Sequence, residues 1–174
     1  QQKTGIPVVA LKYGNINSRL DTLYAALKLM GKVLGNPERA QAVQDFMQGQ
    51  IDSLKSRTGH IVDTARARAY VGGISYRGGH GIESTEPQYA PFRFTHVRNV
   101  ASEAGEVRIS PGGSMNQAMM DKEKILEWNP AYLFADAMNL APVMQDIADH
   151  AALFASMQAI AKNHSYTVMP YNYY

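Results

Sequence analysis

The side chains best suited to bind a ligand lie in one segment, residues 70–94, where a short apolar run breaks into glycines. Polar and ionisable side chains follow the glycines closely, namely Ser75, Tyr76, Arg77, His80, Glu83, Ser84, Thr85 and Glu86. The glycines disfavour a regular helix here. Because α/β proteins concentrate binding groups on loops at strand ends, this segment predicts a binding loop.

The residue types in this loop suit two kinds of ligand, an anion or a metal ion. Arg77 can donate a forked pair of hydrogen bonds to a carboxylate or an oxyanion. His80 and Glu83 offer an imidazole and a carboxylate, which suit a borderline or hard metal ion. Because Arg77 would repel a bare cation beside it, the residue types favour an anionic ligand. A structural interpretation also stays open, in which Arg77 neutralises Glu83 and Glu86 and His80 is solvated.

The motifs give little support to an enzyme. Residues 73–78 have the glycine spacing of a phosphate-binding loop, but Gly79-His80 stands where that motif requires Lys and Ser or Thr. The same glycines can instead present backbone amides to an anion. No G-x-S-x-G elbow surrounds a candidate nucleophile. The open enzyme alternative is a hydrolase or transferase in which His80 and Glu83 act as acid and base.

Composition limits the remaining function classes. The chain has 174 residues, 45% of them hydrophobic, which suffices for one core and part of a second. A net charge of +2 without blocks of like charge gives no support to a nucleic-acid or membrane-surface role. The absence of cysteine excludes disulfides, thiolate catalysis and cysteine-bound metal. The chain starts and stops abruptly, so we expect a piece of a longer protein.

Helical signals dominate the first third of the chain. Residues 6–11 form a short apolar run that predicts a buried strand. Ser18 and Asp21 resemble a capping box at the start of an amphipathic helix that ends near Gly35. Asn36 and Pro37 then suit the first positions of a second helix, which continues to about residue 58 over roughly 30 Å.

The rest of the chain alternates strand and helix signals. We expect strands at residues 66–73, 131–136 and 166–169, helices at 122–128 and 142–162, a second short strand or an extended segment within 92–100, and a weak strand at 107–109 before a glycine-rich turn at 111–114. This order predicts a layered α/β lobe with a mainly parallel sheet. Because parallel strands end at the same edge, Tyr171 is predicted at the rim of the same site.

Four segments together resemble a known family, namely GIPVVAL, LGNPERA, ARAYVGGISYRGGHGIESTEPQYAPF and KILEWNPAYLFAD. They are similar to the periplasmic substrate-binding proteins of ABC importers for iron-siderophores, metal chelates and cobalamin, the TroA-like proteins with a helical backbone. Within that family they look closest to the iron(III) or molybdate/tungstate branch. The segment YVGGISYRGGHGIEST is the most distinctive of these sequences.

The resemblance implies two α/β lobes joined by one long helix, with ligand held between them. Residues 1–36 would then be a remnant of the first lobe, 37–60 the linker helix and 61–174 the second lobe, truncated at its C-terminus. The resemblance also implies that the loop from Ser75 to Glu86 and the strand ends near Asp136 and Tyr171 lie at the cleft. By residue type, the candidate ligand-binding residues are Ser75, Tyr76, Arg77, His80, Glu83 and Tyr171. His80 and Glu83 are the candidate ligands of a bound metal ion.

The implied function is capture of an iron chelate, siderophore or related metal-containing anion for delivery to a membrane permease, with a molybdate or tungstate oxyanion as the alternative. Such a protein needs no cofactor and does no chemistry on its ligand. The resemblance implies a monomer that is periplasmic, or extracellular and membrane-anchored, and that binds no nucleic acid. A further alternative is an interaction module that docks through the apolar face of residues 43–54.

Overall fold

The computed structural model describes residues 5–12, 14–16, 18–74, 79–104 and 117–170. The chain divides into two compact units, Gln1–Ser53 and Leu54–Tyr174. The boundaries of the expected remnant, linker and lobe concern a longer protein and stay predictions. None of the helices in the described stretches combines the length and apolar character that a membrane crossing needs.

Two helices begin in the first unit, α1 (Leu20–Val33) and α2 (Pro37–Thr58), and both confirm the sequence prediction. Gly35 lies between them with φ of +69°, a left-handed conformation that glycine adopts without strain. The Asn36 side chain accepts a hydrogen bond from the Arg39 amide at 3.2 Å, as expected of a helix N-cap. The two helices are therefore separated by a tight, locally encoded turn.

The predicted capping box at the start of α1 is wrong. Arg19 is the N-cap residue, and its side chain makes no capping hydrogen bond. The Asn15 side chain instead accepts from the amides of Ser18 at 2.8 Å and Arg19 at 3.2 Å. Asn15 therefore forms a turn just before the helix, and its side chain accepts from two backbone amides at the start of α1.

The predicted strand at residues 6–11 is also wrong. Residues 5–12 are exposed and have no assigned secondary structure, with Val8 69% exposed. In the described part of this unit, the only β pairing is a single bridge between Asn15 and Arg19. A strand is stable only when neighbouring strands satisfy its backbone groups, and residues 6–11 have no such neighbours here.

The apolar face of α2 is not a continuous exposed stripe. Phe46 is 67% exposed, but Ile51 is only 8% exposed. Val43, Met47 and Leu54 are half-buried. The docking-surface alternative for residues 43–54 therefore gains no support.

The second unit contains a mainly parallel sheet, which confirms the predicted α/β lobe. Its strands are β1 (Arg68–Gly72), β2 (Ser84–Thr85), β3 (Arg98–Asn99), β4 (Ala118–Met119), β5 (Tyr132–Asp136) and β6 (Ser165–Val168). Strands β3, β1, β5 and β6 lie side by side in that order, and each neighbouring pair is parallel. The short strands β2 and β4 pair antiparallel in a separate sheet.

Side chains cover the parallel sheet on both faces. Its helices are α3 (Ala90–Phe94), α4 (Lys122–Trp128), α5 (Leu140–Asp149), α6 (Ala151–Phe154) and α7 (Gln158–Ala161). Tyr70 and Leu133 pack on one face in a cluster to which α4, α5, α6 and α7 contribute. Val71 packs on the other face with Tyr89 and Phe92, beside α3. Burial on both faces is the usual condition of a parallel strand, and it explains the continuous apolar run in β1.

The predicted helix at residues 142–162 is divided into α5, α6 and α7. The backbone leaves helical geometry at His150, with φ of −120° and ψ of 33°, and is extended at Met157, with φ of −65° and ψ of 128°. Phe154, Met157 and Ala159 are all buried. At 100° per residue, one straight helix would spread these three side chains over about 200°, too wide for a single buried face.

Other predictions in this unit have mixed outcomes. The strands ending at Gly72 and Asp136, helix α4 and the closing strand β6 are confirmed within a few residues. A short strand or an extended segment was predicted within 92–100. The segment begins inside α3 and contains the two-residue strand β3 at Arg98–Asn99. Pro91 in the first turn of α3 favours that helix. The weak strand at 107–109 and the turn at 111–114 lie outside the described residues.

Candidate ligand-binding site

The loop after β1 leaves the sheet at its carboxyl edge. Gly72 ends β1 and pairs with Ala135, near the end of β5, and a 3₁₀ turn at Ala137–Asn139 follows β5 directly. We call residues 73–84 the binding loop; it returns to the fold at β2. In parallel sheets, ligands bind beyond the carboxyl ends of the strands, so this edge is where a binding loop is expected.

The start of the binding loop is fixed from the turn after β5. The Asn139 side-chain amide donates to the carbonyl of Gly73 at 2.6 Å. Gly73 has φ of +75°, and a Cβ placed there would lie 2.8 Å from Cγ2 of Val143. Both the backbone conformation and the close approach of α5 therefore require glycine at this position.

The residue after Gly73 is tied to the far end of the loop. The Ile74 amide donates to the carbonyl of Ser84 at 3.1 Å, and the Ser84 hydroxyl donates to the carbonyl of Ile74. The Gln117 side-chain amide donates to the same Ile74 carbonyl at 2.9 Å. Ile74 and Ser84 are buried, so these bonds close the base of the loop away from solvent.

The end of the loop is held by two side chains from the core. The Tyr70 hydroxyl donates to the carbonyl of Ile82 at 2.8 Å, and the Asp146 carboxylate accepts from the amide of Ile82 at 2.9 Å. Burial raises the pKa of Tyr70, so its phenol stays protonated and available as a donor. Both backbone groups of Ile82 are thereby satisfied by side chains from β1 and α5.

A small charge cluster lies beside this anchor. Lys122 Nζ is 3.2 Å from Oδ1 of Asp146 and 3.6 Å from Oε2 of Glu83. Partial burial raises the pKa of Asp146, but the Ile82 amide, Glu83 and Lys122 outweigh it and lower that pKa below its ordinary value. Partial burial lowers the pKa of Lys122, but its bond to Asp146 and the charges of Glu83 and Asp146 raise that pKa overall. Both pKa shifts favour the charged forms of Asp146 and Lys122.

Gly81 is enclosed by the same carboxylates. A Cβ placed on Gly81 would lie 1.7 Å from Oδ2 of Asp146 and 2.7 Å from Oε2 of Glu83. Within the described part of the chain, Glu83 Oε2 is buried without a hydrogen bond, because Lys122 at 3.6 Å is too distant to donate one. The glycine at position 81 is what allows the loop to pass over Asp146.

The structure locates only two of the residues proposed for the site. His80 is half-buried in the binding loop, and Glu83 is directed toward Lys122. Four other residues proposed for the site lie outside the described residues, namely Ser75, Tyr76, Arg77 and Tyr171. Among the residues that are described, no group of three or more His, Asp or Glu side chains could hold a metal ion. The role of His80 and Glu83 as metal ligands stays a prediction.

Sequence reasoning missed the residues that hold the loop. Lys122, Asn139 and Asp146 lie 39 to 66 residues from their partners in the loop. Gln117 lies 43 residues from Ile74, and Tyr70 lies 12 residues from Ile82. Polar residues at strand ends were a usable signal only for Asn139, which follows β5. Outside the site, Arg98 Nε lies 2.8 Å from Glu103 Oε1.

Comparison with known proteins identifies the family. The family described as periplasmic binding protein matches residues 1–171. A comparison with curated proteins gives no match. The chain is similar in fold to the molybdate periplasmic binding protein MolA of Haemophilus influenzae, with a TM-score of 0.67, 19% identity, and coverage of 95% of this chain and 52% of that one.

Two further solved structures share the fold. One is an ABC-type Fe3+-hydroxamate transport system from Saccharomonospora viridis, with a TM-score of 0.61, 13% identity, and coverage of 90% of this chain and 50% of that one. The other is the periplasmic heme binding protein HutB of Vibrio cholerae, with a TM-score of 0.60, 13% identity, and coverage of 91% and 58%. The chain thus spans about half the length of these structures. By its match over residues 1–171, the chain belongs to the periplasmic binding protein family.

Proposed function

We propose that this chain is part of the solute-binding component of an ABC importer, which captures a metal-containing anion such as an iron chelate or siderophore and delivers it to a membrane permease. Membership of the periplasmic binding protein family supports this function. The doubly anchored loop at the carboxyl edge of the sheet supports the location of the site.

The contact between Glu83 and Lys122 favours an anionic ligand over a bare metal ion. Lys122 lies 3.6 Å from Glu83 and already compensates its charge. The same lysine would repel a bare metal ion bound to Glu83. With Glu83 engaged, the ionisable residues left in the loop are Arg77 and His80, which suit a carboxylate, hydroxamate or oxyanion.

An oxyanion is the alternative ligand within the same class. MolA of Haemophilus influenzae is, by its name, a molybdate periplasmic binding protein, and its fold is similar to that of this chain. Molybdate and tungstate are small anions that arginine and backbone amides can bind. We therefore include both oxyanions in the test below.

The rest of the proposal follows from the family. The protein acts in the periplasm or outside the cell, contacts a membrane permease, works as a monomer and binds no nucleic acid. Because binding and release suffice, no reaction on the ligand is required. The hydrolase alternative is not supported, since Glu83, its candidate acid or base, faces Lys122 in an ion pair.

Calorimetric titration of the complete polypeptide that contains these 174 residues tests the proposal. The ligands are a ferric hydroxamate chelate, a ferric catecholate chelate, molybdate and tungstate. We expect saturable binding of at least one of them, and Arg77→Gln should weaken that binding at least about tenfold, because one charge-assisted contact is lost.

The matched control is Arg39→Gln, which removes the same charge from the exposed surface of α2. It should leave the affinity within about twofold. No binding of any of the four ligands by the folded protein would overturn the proposed function. Binding that Arg77→Gln leaves unchanged would overturn the assigned site but keep the transport role.

A further inference from the structure

A surface pocket of about 440 Å³ lies in the second unit, beside helix α3 and edge strand β3. Its walls include Arg66, Tyr89, Phe92, Arg93, His96 and Arg98. None of the residues that line it belongs to the binding loop. Its volume is within the range of small-molecule sites, roughly 300–1,000 Å³. We call it the β3 pocket.

The charges that line the β3 pocket all have one sign. Among the described residues that line it are three arginines and one histidine, and none of these described residues is an aspartate or glutamate. A concave surface lined by one sign of charge concentrates its field and attracts ions of the opposite sign. The pocket is therefore suited to an anion.

Arg66 reaches the pocket with a donor still to satisfy. Its Nη2 is 2.8 Å from Oδ1 of Asp63, whose side chain is 86% exposed, so this ion pair is weak in water. Its Nε is buried and, within the described residues, has no hydrogen-bond partner. A bound anion that accepts a hydrogen bond from Nε would remove the free-energy cost of burying this donor without a partner.

Arg98 also keeps donors available for a ligand. Its Nε contacts Oε1 of Glu103 at 2.8 Å, but the same oxygen lies 3.6 Å from Nη1 of Arg68. One carboxylate thus serves two guanidinium groups, and an excess positive charge remains beside the pocket. The contact with Glu103 uses one of the five N–H donors of Arg98, so its terminal nitrogens can bind an anion.

The ring of His96 is held at the pocket wall by Thr58. Nδ1 of His96 lies 2.8 Å from the Thr58 hydroxyl, and that hydroxyl is also 2.8 Å from the carbonyl of Leu54. His96 has φ of +53°, a strained value of the kind that clusters at binding sites.

Tyr89 and Phe92 form an apolar part of the pocket wall. The rings of Tyr89 and Phe92 are buried and meet edge to face, with centroids 4.9 Å apart. The Asn99 side chain donates to the carbonyls of Glu86 at 2.9 Å and Pro87 at 3.2 Å, which fixes the segment before Tyr89. Such a wall suits the carbon body of an organic molecule better than a bare inorganic ion.

We propose that the β3 pocket binds a small organic anion that carries one or more carboxylate or phosphate groups, which Arg66 and Arg98 hold by forked hydrogen bonds while its carbon body lies on Tyr89 and Phe92. This site is separate from the binding loop and does not depend on the function proposed above. A carboxylate and a phosphate each present two oxygens that one arginine guanidinium can bind through two parallel hydrogen bonds.

The test is a calorimetric titration of the 174-residue chain with citrate, glycerol 2-phosphate and inorganic phosphate. We expect citrate or glycerol 2-phosphate to bind in a saturable manner, inorganic phosphate to bind at least about tenfold more weakly, and affinity to fall as salt is raised. Arg66→Gln and Arg98→Gln should each weaken the organic anion at least about tenfold. The glutamines keep much of the side-chain length, and thermal unfolding would confirm that both variants fold.

The control is Arg39→Gln, which removes one positive charge from the first unit and should change affinity less than about twofold. Three results would overturn the proposal. These are no binding of either organic anion, binding of inorganic phosphate as tight as that of the organic anions, and organic-anion binding that both Arg66→Gln and Arg98→Gln leave unchanged. Citrate alone would assign carboxylates, and glycerol 2-phosphate alone would assign phosphate esters.

Discussion

The amide of Ile82 donates to Oδ2 of Asp146 at 2.9 Å, although 64 residues separate the two. This bond joins the end of the binding loop to helix α5. The same carboxylate lies 3.2 Å from Lys122, so one side chain both caps a loop amide and completes an ion pair. One carboxylate therefore links the end of the loop to the charge of Lys122.

The first prediction concerns acid stability. The folded pKa of Asp146 lies below its ordinary value of 3.8, so its stabilising effect is complete above that value and is lost as pH falls through the folded pKa. Asp146→Asn keeps an oxygen for the Ile82 amide but removes the charge that faces Lys122. Near neutral pH the variant should be less stable by about 1 kcal/mol, and the difference should shrink below about pH 3.8.

Urea unfolding of both proteins between about pH 7 and about pH 3 measures this difference. Asp149→Asn is the matched control, since Asp149 lies on the same helix, is exposed, and accepts a hydrogen bond from the Gln145 side chain at 2.7 Å. It should change stability by less than about 0.5 kcal/mol at every pH. A gap between wild type and Asp146→Asn that stays constant down to about pH 3 would contradict the prediction.

The second prediction concerns the glycine over the charge cluster. Gly81→Ala would place a methyl group 1.7 Å from Oδ2 of Asp146, so the loop or the carboxylate must move. We expect a loss of about 1–3 kcal/mol of stability from this overpacking. The control is Gly79→Ala, whose Cβ would come no closer than 3.5 Å to Oδ1 of Asn139, an ordinary contact.

Thermal unfolding of the two glycine variants decides the matter. Gly81→Ala should lower the melting temperature by several degrees more than Gly79→Ala. Equal melting temperatures would mean that Asp146 and Glu83 move aside freely, and the account of a fixed loop end would be wrong.

The third prediction compares two helical glycines of the first unit. Gly49 is exposed on α2 and nothing lies within 4 Å of an added Cβ, so Gly49→Ala should stabilise the helix by about 0.5–1 kcal/mol. In Gly31→Ala the new Cβ would lie 2.5 Å from Cβ of Ala40, so this variant should be destabilised instead. Opposite signs in urea unfolding are expected, and stabilisation by both substitutions would contradict the packing of α1 on α2.

The sequence predicted those elements whose signals are local. Helices α1, α2 and α4 have periodic apolar residues, and Pro37 and Asn36 mark where α2 begins. The parallel sheet followed from the order of strand and helix signals. The run at residues 6–11 was misjudged because a strand depends on neighbours that apolar residues alone do not reveal.

The candidate site also has one part that the sequence predicted and another part that it did not. Its place at a strand end was predictable because glycines after an apolar run are a local signal. Its supporting contacts were not, since Lys122 and Asp146 meet Glu83 only through the path of the folded chain. Likewise, the division of residues 142–162 into three helices reflects the burial of Phe154, Met157 and Ala159, which a single periodicity cannot accommodate.

Helix α5 and the residue before it meet the binding loop through Asn139, Val143 and Asp146. The spacing of four and then three residues places all three on one side of a helical turn. Inserting or deleting one residue within α5 would rotate Asp146 by about 100° relative to Asn139. The two ends of the loop would then no longer be held from one side of the chain, so the spacing of residues 139–146 sets the geometry of the loop as much as the side chains do.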